Sequence, residues 1–238
     1  MENDTLKLTS VLADPTRFAI YQFISTANRQ VNTLEIAEKF GIHPNVARLH
    51  LTKLEDVNLL KSETEKTGRG GRPSRIYTLS DEVISLQFPP RDYQLLARLA
   101  IETLLKTFGQ EGLKALKEMG RSFGREAARQ SMLKDGIDNT KALPVEKKID
   151  SVERLIVAQG LKPNVELLDD HTIRFSVNNC IFNETVDALK NHSICEMHHH
   201  MLEGIFESYF GDIDFMQDSS ISGGAMACQY TIVRLPVQ

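Results

Sequence analysis

Apolar residues in the first ninety positions come in short bursts at helical spacing. Phe18, Ala19, Phe23 and Ile24 form one burst, and Leu34, Ile36, Ala37 and Phe40 a second. Recurrence at i, i+3 and i+4 is the mark of an amphipathic helix. Asp14 with Pro15 supplies a start signal for the first burst. Asn32 followed by Glu35 supplies a capping box for the second. Gly41 ends that helix, and a third runs from Pro44 to about Val57. The pattern then changes to strand, loop and strand. Residues 59–66 and 75–79 flank the Gly-rich, basic segment 67–74.

From residue 92 to 130 the helical period returns through Leu95, Leu96, Leu99, Leu104, Leu113, Leu116, Met119 and Phe123. Gly109, Gly112, Gly120 and Gly124 interrupt it, so two helices are expected. The Pro89-Pro90 pair before this region reads as an extended connector. A helix is predicted over Val145–Gln159, stopped by Gly160. Paired strands over 164–168 and 171–177 follow, then helices near 181–191 and 194–208. Strands over 212–216 and 225–235 close the chain around Gly223-Gly224. The fold expected is α+β: a winged helix-turn-helix at 1–88, a helical linker and dimerisation region at 89–143, and an α+β sensor domain at 144–238.

The segment from Thr33 to Leu54 has the form of a helix-turn-helix. The turn needs a residue that tolerates positive φ, and Gly41 is there. With Ile36, Ala37, Ile42, Ala47, Leu51 and Leu54 directed inward, Pro44, Asn45, Val46, Arg48, Leu49 and His50 face outward, with Lys53 a turn further on. A recognition helix sets its N-terminal residues on base edges in the major groove. Asn matches adenine and Arg matches guanine in donor and acceptor geometry. The following hairpin reads as a wing, and its Arg69, Arg72 and Arg75 suit phosphates or the minor groove.

Net charge is −4, which looks wrong for a partner of duplex DNA. Its distribution changes that reading. Residues 1–90 hold 11 basic and 11 acidic side chains, and Lys66, Arg69, Arg72 and Arg75 lie within ten residues free of acid. A local basic stripe is what phosphate neutralisation requires. No run of about 18 apolar residues marks a membrane span. The start MENDTLKLTS has no signal-peptide pattern, so a cytoplasmic protein is expected.

Leu12-Ala13-Asp14-Pro15-Thr16-Arg17, the helix-turn-helix and the Gly-Arg-Pro-Ser-Arg wing together resemble the ArsR/DeoR-type winged-helix regulators. The likeness covers about residues 8–80. The order of elements in residues 90–238 resembles the Suf-repressor branch, which controls iron–sulfur-cluster assembly genes. That resemblance implies a cluster held by widely spaced cysteines, here Cys180, Cys195 and Cys228. Two departures stand out. The first gap holds 14 residues, somewhat long, and Tyr209-Phe210-Gly211-Asp212 stands where the branch has another cysteine. A fourth ligand would be Asp, His or exogenous. His198 and His199 follow Cys195 at i+3 and i+4 on a predicted helix, so a mixed Cys/His site is open to them.

Other readings start from the same residues. The cysteines can be core-filling thiols, or the second domain can bind zinc, a small organic molecule or nothing. The winged helix can serve protein contacts alone. No Walker loop, dinucleotide fingerprint or catalytic Ser/His/Asp or Cys/His signature is recognisable, so an enzyme is not expected. The expected partners are a double-stranded DNA operator and a second copy of the chain.

Overall fold

The computed structural model describes residues 2–27, 29–65, 74–80, 84, 86, 89, 91–189 and 192–235. They form two compact units, Met1–Arg91 and Asp92–Gln238, and the fold is α+β. Among the described residues no helix is long and apolar enough to cross a membrane.

The first unit runs α1 (Glu2–Leu12), α2 (Pro15–Ala27), β1 (Val31–Asn32), α3 (Thr33–Phe40), α4 (Pro44–Glu55), β2 (Leu60–Glu65) and β3 (Ser74–Leu79). Its core is Ile20, Ile24, Ile36, Leu51, Leu54 and Tyr77, all fully buried. The Asp-Pro-Thr-Arg motif builds the corner between α1 and α2. Asp14 caps α2 by accepting the Arg17 N–H at 2.8 Å. The buried Arg17 guanidinium donates back to the Val11 and Ser10 carbonyls at the end of α1. One side chain thus satisfies carbonyls that the helix end leaves without partners. Asn32 caps α3 through the Leu34 and Glu35 N–H groups, as the capping box predicts. Gly41 adopts φ 61°, and the Ile42 N–H reaches back to the Ala37 carbonyl at 3.0 Å. That left-handed closure turns the chain into α4. Two elements escape the periodicity. Among the described side chains of α1 only Leu8 and Val11 are buried, too few to make a stripe, and β1 is two residues long, too short to alternate.

The second unit runs α5 (Tyr93–Lys134), α6 (Val145–Ala158), β4 (Pro163–Leu167), β5 (Thr172–Val177), α7 (Asn183–Leu189), α8 (Ser193–Phe210), β6 (Ile213–Ser219) and β7 (Cys228–Arg234). Its four-stranded antiparallel sheet has the order β4-β5-β7-β6. Alternate residues of β5 and β7 (Ile173, Phe175, Val177, Tyr230 and Ile232) are buried. They pack with Ile156 of α6 and Leu202, Ile205 and Phe206 of α8. Phe175 and Phe206 lie 5.0 Å apart between ring centroids.

The stretch α5 is two helices meeting at Gly109, whose φ of 52° and ψ of −122° are not helical. The other glycines serve packing instead. A Cβ on Gly120 or Gly124 would overlap the Met197 or Met201 carbonyl of α8, and one on Gly204 would overlap the Arg121 carbonyl of α5. Small residues let two helix backbones approach closely. Beside that contact Lys117 pairs with Glu196, and Arg121 with Glu203 and Glu207. Arg125 meets Glu207 at 2.8 Å.

Candidate functional site

Helix α4 begins with His43 as N-cap, its Nδ1 accepting the Asn45 N–H at 3.2 Å, and Pro44 in the first turn. Pro44 therefore has a helix-starting role. Ala47, Leu51 and Leu54 turn into the core and are fully buried. That leaves Asn45, Val46, Arg48, Leu49 and Lys53 exposed on the other side. Val46 and Leu49 are 42% and 55% exposed. Apolar groups on the outer face of a recognition helix suit contact with thymine methyls.

His50, expected to face outward, is half-buried. It follows Ala47 by three residues, which places it at the edge of the core face. Its Nδ1 is buried without a hydrogen bond. Its neighbour is Asp14, whose carboxyl is held below the usual range first by the Arg17 N–H and more weakly by His50.

The wing strands β2 and β3 pair from Leu60↔Leu79 to Glu65↔Ser74. Arg75 of β3 is tied to the end of α4, where its Nη2 lies 3.2 Å from Glu55 Oε1. Its guanidinium also sits 5.8 Å over the Tyr77 ring. Glu55 accepts the Ser62 hydroxyl from β2 at 2.7 Å as well. Arg75 thus braces the wing on α4. Arg69 and Arg72 lie outside the described residues.

In the second unit Cys180, Cys195 and Cys228 line one cavity, together with His198, Phe182 and Tyr230. Topology brings them there. Cys228 opens β7 opposite Val177, the last residue of β5, and Cys180 follows β5 by three residues. Cys195 lies in the first turn of α8. The Ile221 N–H donates to Cys228 Sγ at 3.4 Å, and the Cys195 thiol donates to the Ser222 hydroxyl at 3.3 Å. Burial, then the three thiols, pushes the Tyr230 hydroxyl pKa up.

Residues 12–63 match the family model described as a helix-turn-helix domain. The flanking hairpin β2–β3 completes the motif. The first unit carries a winged helix-turn-helix. No curated protein matches the chain. Several solved structures bear a weaker likeness, two of them as follows. One is a trafficking protein particle complex subunit 3 from Naegleria fowleri covalently bound to palmitic acid. It is 13% identical with a TM-score of 0.44, covering 60% of this chain and 95% of that one. The other is the phenol-responsive sensory domain of the transcription activator PoxR with phenol. It is 14% identical with a TM-score of 0.47, covering 79% of this chain and 89% of that one.

Beyond the winged helix-turn-helix, the two histidines that follow Cys195 separate. His198 turns into the cysteine cavity, with its Nε2 buried and without a partner. Burial, with a smaller effect of His199, pushes its pKa down to about 4. It is therefore a neutral imidazole near pH 7, as a metal ligand must be. His199 instead lies against the Phe215 ring at 5.3 Å and the His200 ring at 5.1 Å. The cavity's donor set is thus three soft thiols and one neutral imidazole, which fits a thiophilic centre. Among the described residues, the one trio with ligand atoms all within 4.8 Å of one another is His199, His200 and Glu203. The three thiols are more widely spread than that. A single zinc with bonds of about 2.3 Å would need them closer, whereas a polynuclear cluster spans more. Sequence reading missed Glu203. The palindromic run Glu196-x-x-His199-His200-x-x-Glu203 was the available signal.

Proposed function

We propose that this protein is a DNA-binding transcriptional regulator whose second unit senses a thiophilic metal centre, with an iron–sulfur cluster in first place. The observation that carries the DNA half is the exposed face of α4, within a matched helix-turn-helix domain. Asn45 and Arg48 read base edges, Val46 and Leu49 meet thymine methyls, and Lys53 meets the backbone. Arg75 positions the wing, so that Arg69 and Arg72 act on phosphates. No part of this reading calls for catalysis.

The sensing half is supported by the convergence of Cys180, Cys195 and Cys228 with the unpartnered His198. These four side chains would hold the centre, whose bonds would tie the end of the sheet to the start of α8. The Ile221 N–H already points at a sulfur, the kind of outer-shell contact that tunes a metal site. Protein purified without oxygen is expected to be coloured and to contain iron and sulfide. The Cys228→Ser variant is expected to lose both. Colourless, metal-free protein would remove the metal reading and leave DNA binding untouched.

The same reading includes a homodimer, because helix-turn-helix proteins commonly address two half-sites one helical turn apart. The first stretch of α5 exposes Tyr93, Leu95, Leu96, Leu99 and Phe108, apolar surface for a second copy to cover. Sedimentation is expected to give a dimer that Leu96→Glu/Leu99→Glu converts to monomer. A wild-type monomer at every concentration, with and without DNA, would refute it.

A further inference from the structure

We propose that His199, His200 and Glu203 of α8 form a binding site for a divalent transition metal ion of the zinc or nickel kind, distinct from the cysteine cavity. The three residues fall at i, i+1 and i+4, with Glu196 three residues before the first, along one side of the helix. One ligand atom from each lies within 4.8 Å of the others. All three side chains are half-buried. A shared ion with bonds of about 2.0–2.2 Å sets its ligand atoms roughly 3–3.5 Å apart, so small side-chain rotations would bring His199 in and open the His200–Glu203 pair.

One observation sets this trio apart from a surface ion pair. His199 Nδ1 is buried and has no hydrogen-bond partner, and a buried polar atom left unpaired is costly. His200 Nδ1 lies 2.6 Å from Glu203 Oε2, a direct pair that a metal ion would have to enter and replace. Arg121 is the resident cation on Glu203. It also has Glu207 at 3.4 Å, and so keeps an acid when Glu203 turns to a metal. Two imidazoles and a carboxylate, without sulfur, favour zinc or nickel over softer ions. With three protein ligands, a fourth position stays open. The cavity of Cys180, Cys195 and Cys228 is lined by none of these residues, so the proposal does not rest on the cluster reading.

The test uses the full chain, freed of metal by a chelator, titrated with zinc by calorimetry and with cobalt(II) by absorbance. The variant Cys180→Ser/Cys195→Ser/Cys228→Ser is expected to retain one bound equivalent. His200→Ala and Glu203→Gln are each expected to weaken that binding by more than about 100-fold, beyond what losing an outer-shell partner costs. Their circular dichroism should match the wild type. If the triple variant does not fold, the wild-type cobalt titration decides: this site contributes d–d bands without sulfur-to-cobalt charge transfer, and His200→Ala removes them. Binding that disappears with the cysteines, shows only sulfur ligation, or is equal in His200→Ala, Glu203→Gln and wild type would overturn the proposal.

Discussion

Gly124→Val is expected to unfold the second unit, or to lower its stability by about 2–4 kcal/mol, through overpacking that rigid neighbours cannot relieve. The added side chain would strike the Met201 carbonyl and crowd the Ile205 nitrogen, both backbone atoms of α8. They can move only if α5 and α8 part. Parting breaks the Gly120 and Gly204 contacts and the Arg121 and Arg125 pairs with Glu207. Gly136→Ala is the matching control. Gly136 has φ 68° and open space around a built Cβ, so only the left-handed backbone opposes a side chain, at about 1–2 kcal/mol. Urea unfolding of both variants separates crowding from backbone strain. Equal losses would mean that α5 and α8 tolerate separation.

The Asn45→Ala/Arg48→Ala variant is expected to bind its operator about 2–6 kcal/mol more weakly, since a bidentate base contact contributes about 1–3 kcal/mol. Binding to random duplex should change far less. Both side chains are exposed and outside the core, so their removal should leave the fold intact. Loss of affinity in equal measure on operator and random duplex would show that α4 grips phosphates without reading bases. Losing Arg69 and Arg72 should have the opposite signature, a weaker hold on every sequence and a flatter salt dependence.

The elements that were legible are those whose local chemistry agrees with their place in the fold. Asn32, Gly41 and Pro44 each do at the helix ends what their side chains favour in isolation. The cysteines were legible as a group because Cys180, Cys195 and Cys228 follow a strand, open a helix and start a strand. One end of an antiparallel sheet gathers such positions. What stayed hidden depends on partners far along the chain. Gly120 and Gly124 read as helix breaks, yet they are contact points whose reason is α8, about eighty residues later. His50 looked outward until its distance from Ala47 was set against the whole core face. Arg75 looked like a DNA contact, and its link to Glu55 spans twenty residues. His199 looked like a partner of Cys195 by spacing, yet its ring is directed to Phe215 by the packing of α8 on β6.

Selection from a random duplex pool with the full chain tests most directly whether α4 reads DNA sequence. A defined sequence should be recovered, bound at least about 10³-fold more tightly than random duplex, the lower end for specific DNA-binding proteins. Affinity should fall steeply with salt. Binding that prefers no sequence over the pool, or no binding to duplex at any salt concentration, would contradict it.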